Sequence, residues 1–421
     1  MSSTTFRFVH AADLHLDAPF RGLRRASAAI THRLSQAPLA AWDALVQLTI
    51  DQNATFLLLA GDISDGTERA VRAHVRFLEG LQRLSAHGIR TFIARGDEDP
   101  AERWMGIHRW PDGVHCFGSH DVGSVAVTTA GEHIATIHGI SHSADYATNR
   151  VARFRRGSES GIHIGLLHVS VGRTGDVSSC HQCSMNDFHA ADMDYWALGH
   201  DHRHQVLSHG HPRIVYPGTL QGRSLNSDET GPKGAVVVTV ANGVVRDARL
   251  HALDAVRLTT ADVDVSTLAG PSDIRRAFLE TATRLRGECT DRSVIACAVV
   301  RGRGQPWAEA QPTDGPWERL LEELRQADIA GDTFVWWDSV RNMMDAPEIR
   351  NQNDLAAHMR RLVDDLRRAP AELDRLLADH TVRLAGPAVR AGQPTLDAIE
   401  VGDLLTEAER VALRFLEREE P

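Results

Sequence analysis

The chain has 421 residues, 42% of them apolar and 24% charged, with a formal net charge of −10 at pH 7. That length suits two or three folded domains, and the acidic balance excludes a uniformly basic nucleic-acid-binding surface while leaving room for a local basic groove. No stretch approaches the run of about 18 apolar residues that a membrane span needs, and five scattered cysteines without a leader-like N-terminus read as reduced thiols, so a cytoplasmic location without membrane contact is expected.

In chain order, a short strand over residues 6–12 runs directly into "DLHLDAPF". A helix over 38–53 leads to a buried strand, "ATFLLLAGD", over 54–62. An amphipathic helix over 68–88 with a glycine stop precedes the strand "IRTFIARGD" over 89–97. Further strands are expected over 133–141, 162–170, 195–200, 213–218 and 234–240. This alternation by itself reads as an open α/β sheet. Residues 251–340 read as a small mixed domain, with helices over 273–287 and 316–327 and strands over 293–302 and 332–340. From 341 onward the chain reads as charged helices over 351–369, 370–385 and 402–420. The expected division is 1–250, 251–340 and 341–421.

Polar residues recur at one structural position, just past the C-terminal ends of the strands, where loops on a rigid sheet converge. Asp13, His15, Asp62, Asp97, His168, His200 and His202 together supply three carboxylates and four imidazoles. Such a set can hold two divalent ions, with Asp62 bridging through its two oxygens, and can activate water against a phosphate ester. Mixed nitrogen and oxygen donors suit Mn²⁺, Fe²⁺ or Zn²⁺ better than an all-oxygen Mg²⁺ site. The bland alternative is a scatter of turn, cap and core roles, and His204 in "GHDHRH" reads equally well as a surface residue.

The segments "VHAADLHLDAPF", "LLLAGDISD", "GLLHVS", "DYWALGHDH" and "IVYPGTLQGRS" with the following "GPKG" resemble the calcineurin-like metallophosphoesterases. More narrowly they resemble the SbcD-like and YhaO-like bacterial DNA repair exonuclease subunits, relatives of the Mre-type nucleases. The resemblance covers roughly residues 6–240 and implies a four-layer αββα sandwich, followed by a small α+β cap domain and a helical C-terminal tail. It implies a first metal held by Asp13, His15, Asp62 and His202, and a second held by Asp62, Asp97, His168 and His200, with Mn²⁺ foremost and Mg²⁺, Fe²⁺ or Zn²⁺ as alternatives. Asp62, His200 and Glu98 are the catalytic candidates, and the resemblance suggests that Asp99 either supports a metal ligand from behind or braces the loop. Asp17 and Arg223 fall in family-like segments without an assigned role. DNA, an SMC-like coiled-coil ATPase subunit and a second copy of the chain are the implied partners. The implied activity is two-metal DNA phosphodiester hydrolysis in repair or defence, against a weakly active DNA-binding subunit or a small-molecule phosphodiesterase.

One departure stands out. Where the family has G-N-H-D, this chain has Gly96-Asp97-Glu98-Asp99. Asp97 keeps an oxygen ligand and adds negative charge. Glu98 replaces a histidine expected to assist the phosphate and the leaving oxygen, so altered or reduced turnover is expected unless its carboxyl stays protonated.

Four lesser features complete the reading. Cys180 and Cys183 have metal-like spacing without a second pair. The arginine runs at 21–25 and 153–157 are candidate phosphate contacts against a solvated-surface alternative. Of Trp336 and Trp337, at least one is expected in the core rather than in a stacking platform. Leu404, Leu405, Ala408, Val411, Ala412 and Phe415 form an apolar stripe that packing explains most simply and that an ATPase partner could also cover.

Overall fold

The computed structural model describes residues 5–23, 28–66, 70–99, 110–143, 149–172, 183–266, 271–302, 315–328, 333–344, 360, 363–364 and 406–411. The chain divides into two compact units. The first comprises Met1–Thr260, Leu285–Ala296 and Asp328–Asp338, and the second Ala261–Arg284, Cys297–Ala327 and Ser339–Pro421.

The first unit is built on two six-stranded sheets. One contains β1 (Thr5–Ala11), β2 (Phe56–Ala60), β3 (Arg90–Ala94), β4 (Val114–Cys116), β11 (Gly234–Ala241) and β12 (Val244–Ala252), in the order β12-β11-β1-β2-β3-β4. The other contains β5 (Gly123–Thr129), β6 (Glu132–Ile140), β7 (Ile162–His168), β8 (Tyr195–Gly199), β9 (Gln205–Ser208) and β10 (Arg213–Tyr216), in the order β5-β6-β7-β8-β10-β9. The open single sheet suggested by alternation alone is therefore replaced by the sandwich that the resemblance implied. Alternation in the strands shows why. In β1, Phe8 faces the inter-sheet core with Phe56, Leu58, Phe92, Ile164, Leu166 and Tyr195, whereas Val9 faces the outer helices. In β8, Tyr195 and Ala197 face inward while Trp196 and Leu198 pack outward on Phe154, Phe188 and Met193. A strand buried on both faces is apolar along most of its length, and β2, β7 and β8 are fully buried throughout, with the two histidines of β7 hydrogen-bonded where they are buried.

Outside the first sheet lie α1 (Ala28–Asp51) and α2 (Ala70–Ala86), which pack Trp42, Leu45, Phe77 and Leu81 against it. Helix α1 starts well before the expected residue 38 and carries Pro38 in its interior, so the proline does not open the helix. A short helix, α3 (Met185–Ala190), sits on the outer face of the second sheet with Phe188 buried. Strand β12 was not expected. Its alternating exposure and its charged residues Arg246, Asp247 and Arg249 mark a half-solvated edge strand, which an apolar-run criterion passes over.

Strands β13 (Val256–Asp264), β14 (Ser293–Gly302) and β15 (Val335–Met344) form a three-stranded sheet in that order. Helices α4 (Pro271–Glu288) and α5 (Pro316–Asp328) meet through Phe278 and Trp317 of the second unit, whose ring centroids are 6.3 Å apart. Trp336 and Trp337 are both buried, so neither offers a stacking surface. The helices expected over 351–369, 370–385 and 402–420 lie largely outside the described residues. Within 406–411, Ala408 and Val411 are exposed while Arg410 is buried against Glu407, so these two apolar positions are not on the covered face. Leu404, Leu405, Ala412 and Phe415 lie outside the described residues. No helix among the described residues is long and apolar enough to cross a membrane.

Candidate metal centre

Strands β1, β2 and β3 run parallel, as do β6, β7, β8 and β10, so the C-terminal ends of each set open on one edge. Asp13 and His15 leave β1, Asp62 leaves β2, Asp97 follows β3, His168 ends β7, and His200 and His202 follow β8. Four of these residues adopt left-handed backbone: Asp13 (φ 50°), His15 (φ 44°), Asp62 (φ 51°) and His200 (φ 106°). Non-glycine residues held there cost on the order of 1–3 kcal/mol each, so the surroundings must over-determine them. They do: Asp13 N donates to Gly61 O at 2.9 Å, His15 N to Asp62 O at 2.9 Å and Leu16 N to Ile63 O at 3.0 Å, lacing the two loops together.

Close approach requires glycine at two points. A Cβ on Gly96 would lie 2.1 Å from Asp62 Oδ1, and one on Gly199 would lie 1.8 Å from Ala60 O and 2.9 Å from His168 Nδ1. The absence of these side chains lets the loop after β3 and the end of β8 close on β2. Asp99 then braces the result. Its buried carboxylate accepts N–H bonds from Ile63 (3.0 Å), Ser64 (3.0 Å) and Gly96 (3.2 Å), joining the loops that carry Asp62 and Asp97. Burial, with Asp62 adding, pushes the Asp99 carboxyl up to about 6 against the pull of those three donors.

Three overlapping groups of ligand atoms result: Asp13, His15 and His202; Asp97, His168 and His200; and Asp13, Asp62 and His168. Asp62 Oδ2 sits between them, 3.9 Å from His15 Nε2 and 3.5 Å from His168 Nε2, while its Oδ1 accepts from Glu98 N at 3.1 Å. His168 Nε2 is 2.9 Å from Asp97 Oδ1, and His200 Nδ1 is 3.6 Å from the same oxygen.

The donor chemistry fits a cation pair. A carboxylate or carbonyl can only accept, so its partner ring nitrogen carries the proton. His15 Nδ1 donates to Asp65 Oδ1 (2.5 Å), His202 Nδ1 to Glu229 Oε1 (2.8 Å) and His168 Nδ1 to Ala60 O (2.8 Å). Three imidazoles thus turn Nε2 toward the cluster. His15 Nε2 and His202 Nε2 face each other at 3.1 Å, and His168 Nε2 is buried without a hydrogen bond of good geometry. Facing lone pairs repel unless a cation lies between them.

Electrostatics point the same way. Asp13 is fully buried, and its carboxyl is pushed up by that burial, with Asp62 adding to the rise. Burial opposes charging of His168, yet Asp62, Asp97 and Asp13 raise it to about 10. Burial likewise tends to raise Asp97, but its contacts with His168 and His200 outweigh this and hold it well below the usual carboxylate range. Negative charge gathered here asks for positive charge, supplied by protons or by metal.

All seven expected ligands are therefore brought to one place, whereas His204 is not among them and bonds Tyr216 O through Nδ1 at 2.9 Å. Glu98 lies in the same loop and is exposed overall; the partial burial of its carboxyl first, then Asp62, Asp65 and Asp97, push its pKa up. Asp17 accepts from Asp65 N at 2.7 Å, which sets the carboxylate behind His15. Asp65 and Glu229 were missed, because an acid behind a histidine has no signature in spacing.

The basic runs are less suggestive than they looked. Arg153 pairs with Asp121 and Arg156 with Asp194, and Arg155 bonds the carbonyls of Ala152 and Phe154. Arg24 and Arg25 lie outside the described residues, as does Cys180, while Cys183 is buried.

Comparison with known proteins agrees with this geometry. Residues 6–204 match the calcineurin-like phosphoesterase family. A protein of Bacillus subtilis named uncharacterized metallophosphoesterase YhaO is 33% identical over 336 residues, covering 79% of this chain and 80% of that one. The chain belongs to the calcineurin-like phosphoesterase family. It is a metal-dependent hydrolase with candidate ligands for two ions, related to the Mre11 and SbcD type of nuclease. The DNA double-strand break repair protein Mre11 of Thermoplasma acidophilum is 27% identical over 218 residues, covering 49% of this chain and 57% of its own. That of Archaeoglobus fulgidus is 20% identical over 355 residues, covering 77% of this chain and 76% of its own.

Proposed function

We propose that this phosphoesterase hydrolyses DNA phosphodiester bonds. Asp13, His15, Asp62 and His202 would hold one ion, and Asp62, Asp97, His168 and His200 the other. The carrying observation is the position of Asp62 Oδ2 between His15 and His168, with Oδ1 tied to the Glu98 N–H so that the carboxylate cannot turn away. When bound, two such ions neutralise phosphate oxygens and lower the pKa of a water for in-line attack. The mixed nitrogen and oxygen ligand set suits Mn²⁺, Fe²⁺ or Zn²⁺ better than an all-oxygen Mg²⁺ site, and Mn²⁺ is the ion proposed. The names of the two archaeal relatives support DNA as the substrate.

This chain's own residues then divide the work. His15, His168 and His202 are fixed through Nδ1 and present Nε2. His200 has the most exposed ring of the four, 43% against 4% for His15, 1% for His168 and 23% for His202, and is the one that meets incoming phosphate. Glu98 stands in the place of the family histidine with its carboxyl pushed up, and where it is protonated it can donate to the leaving oxygen.

A second reading, metal binding with little turnover, is favoured by the acid at position 98, because an ionised Glu98 repels phosphate. The same proposal places the protein in the cytoplasm, as a homodimer working with a coiled-coil ATPase. Labelled single- and double-stranded DNA, incubated with the protein and Mn²⁺ beside an Asp62→Ala control, tests the function. Metal-dependent cleavage lost in the control supports nuclease action. Metal uptake without cleavage supports the second reading, and turnover of a small phosphodiester alone would transfer the site to small-molecule chemistry.

A further inference from the structure

The two ion positions are not supported alike. Around Asp13, His15 and His202 both imidazoles are backed by carboxylates, His15 by Asp65 (2.5 Å) and His202 by Glu229 (2.8 Å). One guanidinium joins those two acids: Arg223 Nη1 donates to Asp65 Oδ2 at 3.2 Å and Nη2 to Glu229 Oε1 at 3.4 Å, while Arg223 N donates to Glu229 Oε2 at 2.9 Å. Arg223 is 8% exposed, so this charge pairing is shielded from water. Around Asp97, His168 and His200 the support is different. His168 is backed by the neutral carbonyl of Ala60 at 2.8 Å, and the carboxylate paired with His200 is Asp97 itself.

A carboxylate behind a histidine fixes its tautomer and raises its basicity, and losing such a partner costs about 10–100-fold in metal affinity. Planar, five-donor arginine can hold two carboxylates at once, whereas lysine offers a point charge. We propose that Arg223 is a positioning residue which, by clasping Asp65 and Glu229, makes the Asp13–His15–His202 position the tighter of two unequal ion sites. The exchangeable ion is then the one at Asp97–His168–His200, beside the exposed ring of His200. Neither Asp65 nor Glu229 needs to touch an ion for this to hold. Without Arg223, Glu229 and the half-buried Asp65 lose the guanidinium that joins them, and both histidines lose the fixed orientation those acids give.

This inference rests on the two-ion reading, and titration of the metal-free full-length protein with Mn²⁺ by calorimetry separates the two. The parent is expected to bind two ions in two affinity classes. Arg223→Met should weaken the tighter class by about 10–100-fold and leave the weaker within about threefold, with Arg223→Lys in between. If Arg223→Met fails to fold by circular dichroism, Arg223→Lys carries the test alone. Equal weakening of both classes, or no change in either, overturns the clasp. A parent that takes up fewer than two ions overturns the two-ion reading instead.

Discussion

Substituting Gly96 by alanine tests whether the cluster depends on backbone approach rather than on ligand identity alone. The added methyl would lie 2.1 Å from Asp62 Oδ1 and 2.6 Å from Asp62 N, where real contacts are not below 3.0 Å. The carboxylate must therefore retreat by about 1 Å, and it has nowhere to go. Asp62 O is taken by His15 N, and the next N–H, of Ile63, is held by Asp99. Overpacking of this kind costs typically about 1–3 kcal/mol. The pinned loops place Gly96→Ala near the upper figure, and for a domain of this size that lowers the melting temperature by about 6–12 °C. Because the clash at Oδ1 moves the whole carboxylate, Oδ2 included, displacement of the shared Asp62 side chain by an ångström should also cost on the order of 100-fold in turnover and loosen both ions together. Gly118 is the control, because a Cβ there meets nothing within 4 Å. Calorimetric melting with and without Mn²⁺, beside a DNA cleavage assay, reads all three effects. A Gly96→Ala protein that melts within about 2 °C of the parent and binds two ions with parental affinity would refute the reasoning.

Three further predictions concern charge. His10, fully buried, bonds Tyr195 OH at 3.1 Å and Leu198 O at 3.2 Å, and burial pushes its pKa down to about 3. Its depressed folded value means that the unfolded chain takes up the proton first, so stability falls as pH drops below about 6.5, by up to about 1.4 kcal/mol per pH unit; urea melts across pH 7.5 to 5 should show a shallower decline in His10→Gln, and an identical slope counts against the assignment. Asp62→Asn keeps the side chain's size but removes its charge between His15 and His168, so the variant should gain less in melting temperature from Mn²⁺ than the parent; an unchanged gain refutes the shared role. Glu98→His should raise the rate of Mn²⁺-dependent DNA cleavage, and no gain over an already fast parent would show that Glu98 does not limit turnover.

The legible part of this protein was local. A buried strand ends where its apolar run stops, so the exits of β1, β2, β7 and β8, and with them Asp13, Asp62, His168 and His200, could be read from "FRFVHAAD", "FLLLAGD", "IGLLHV" and "YWALGH". The motif order then implied the sandwich and the seven ligands. Edge strands such as β12 escaped because half their residues face water and carry charge.

The sequence by itself determined which side chains stand at the strand ends, since that follows from short-range alternation and ligand chemistry. Only the tertiary structure decided how they are held. Asp65 lies 50 positions from His15, Glu229 lies 27 from His202, and Arg223 reaches Asp65 across 158. No periodicity encodes such pairings, because they arise from two sheets folding together and from the glycines at 96 and 199 that allow the backbones to touch.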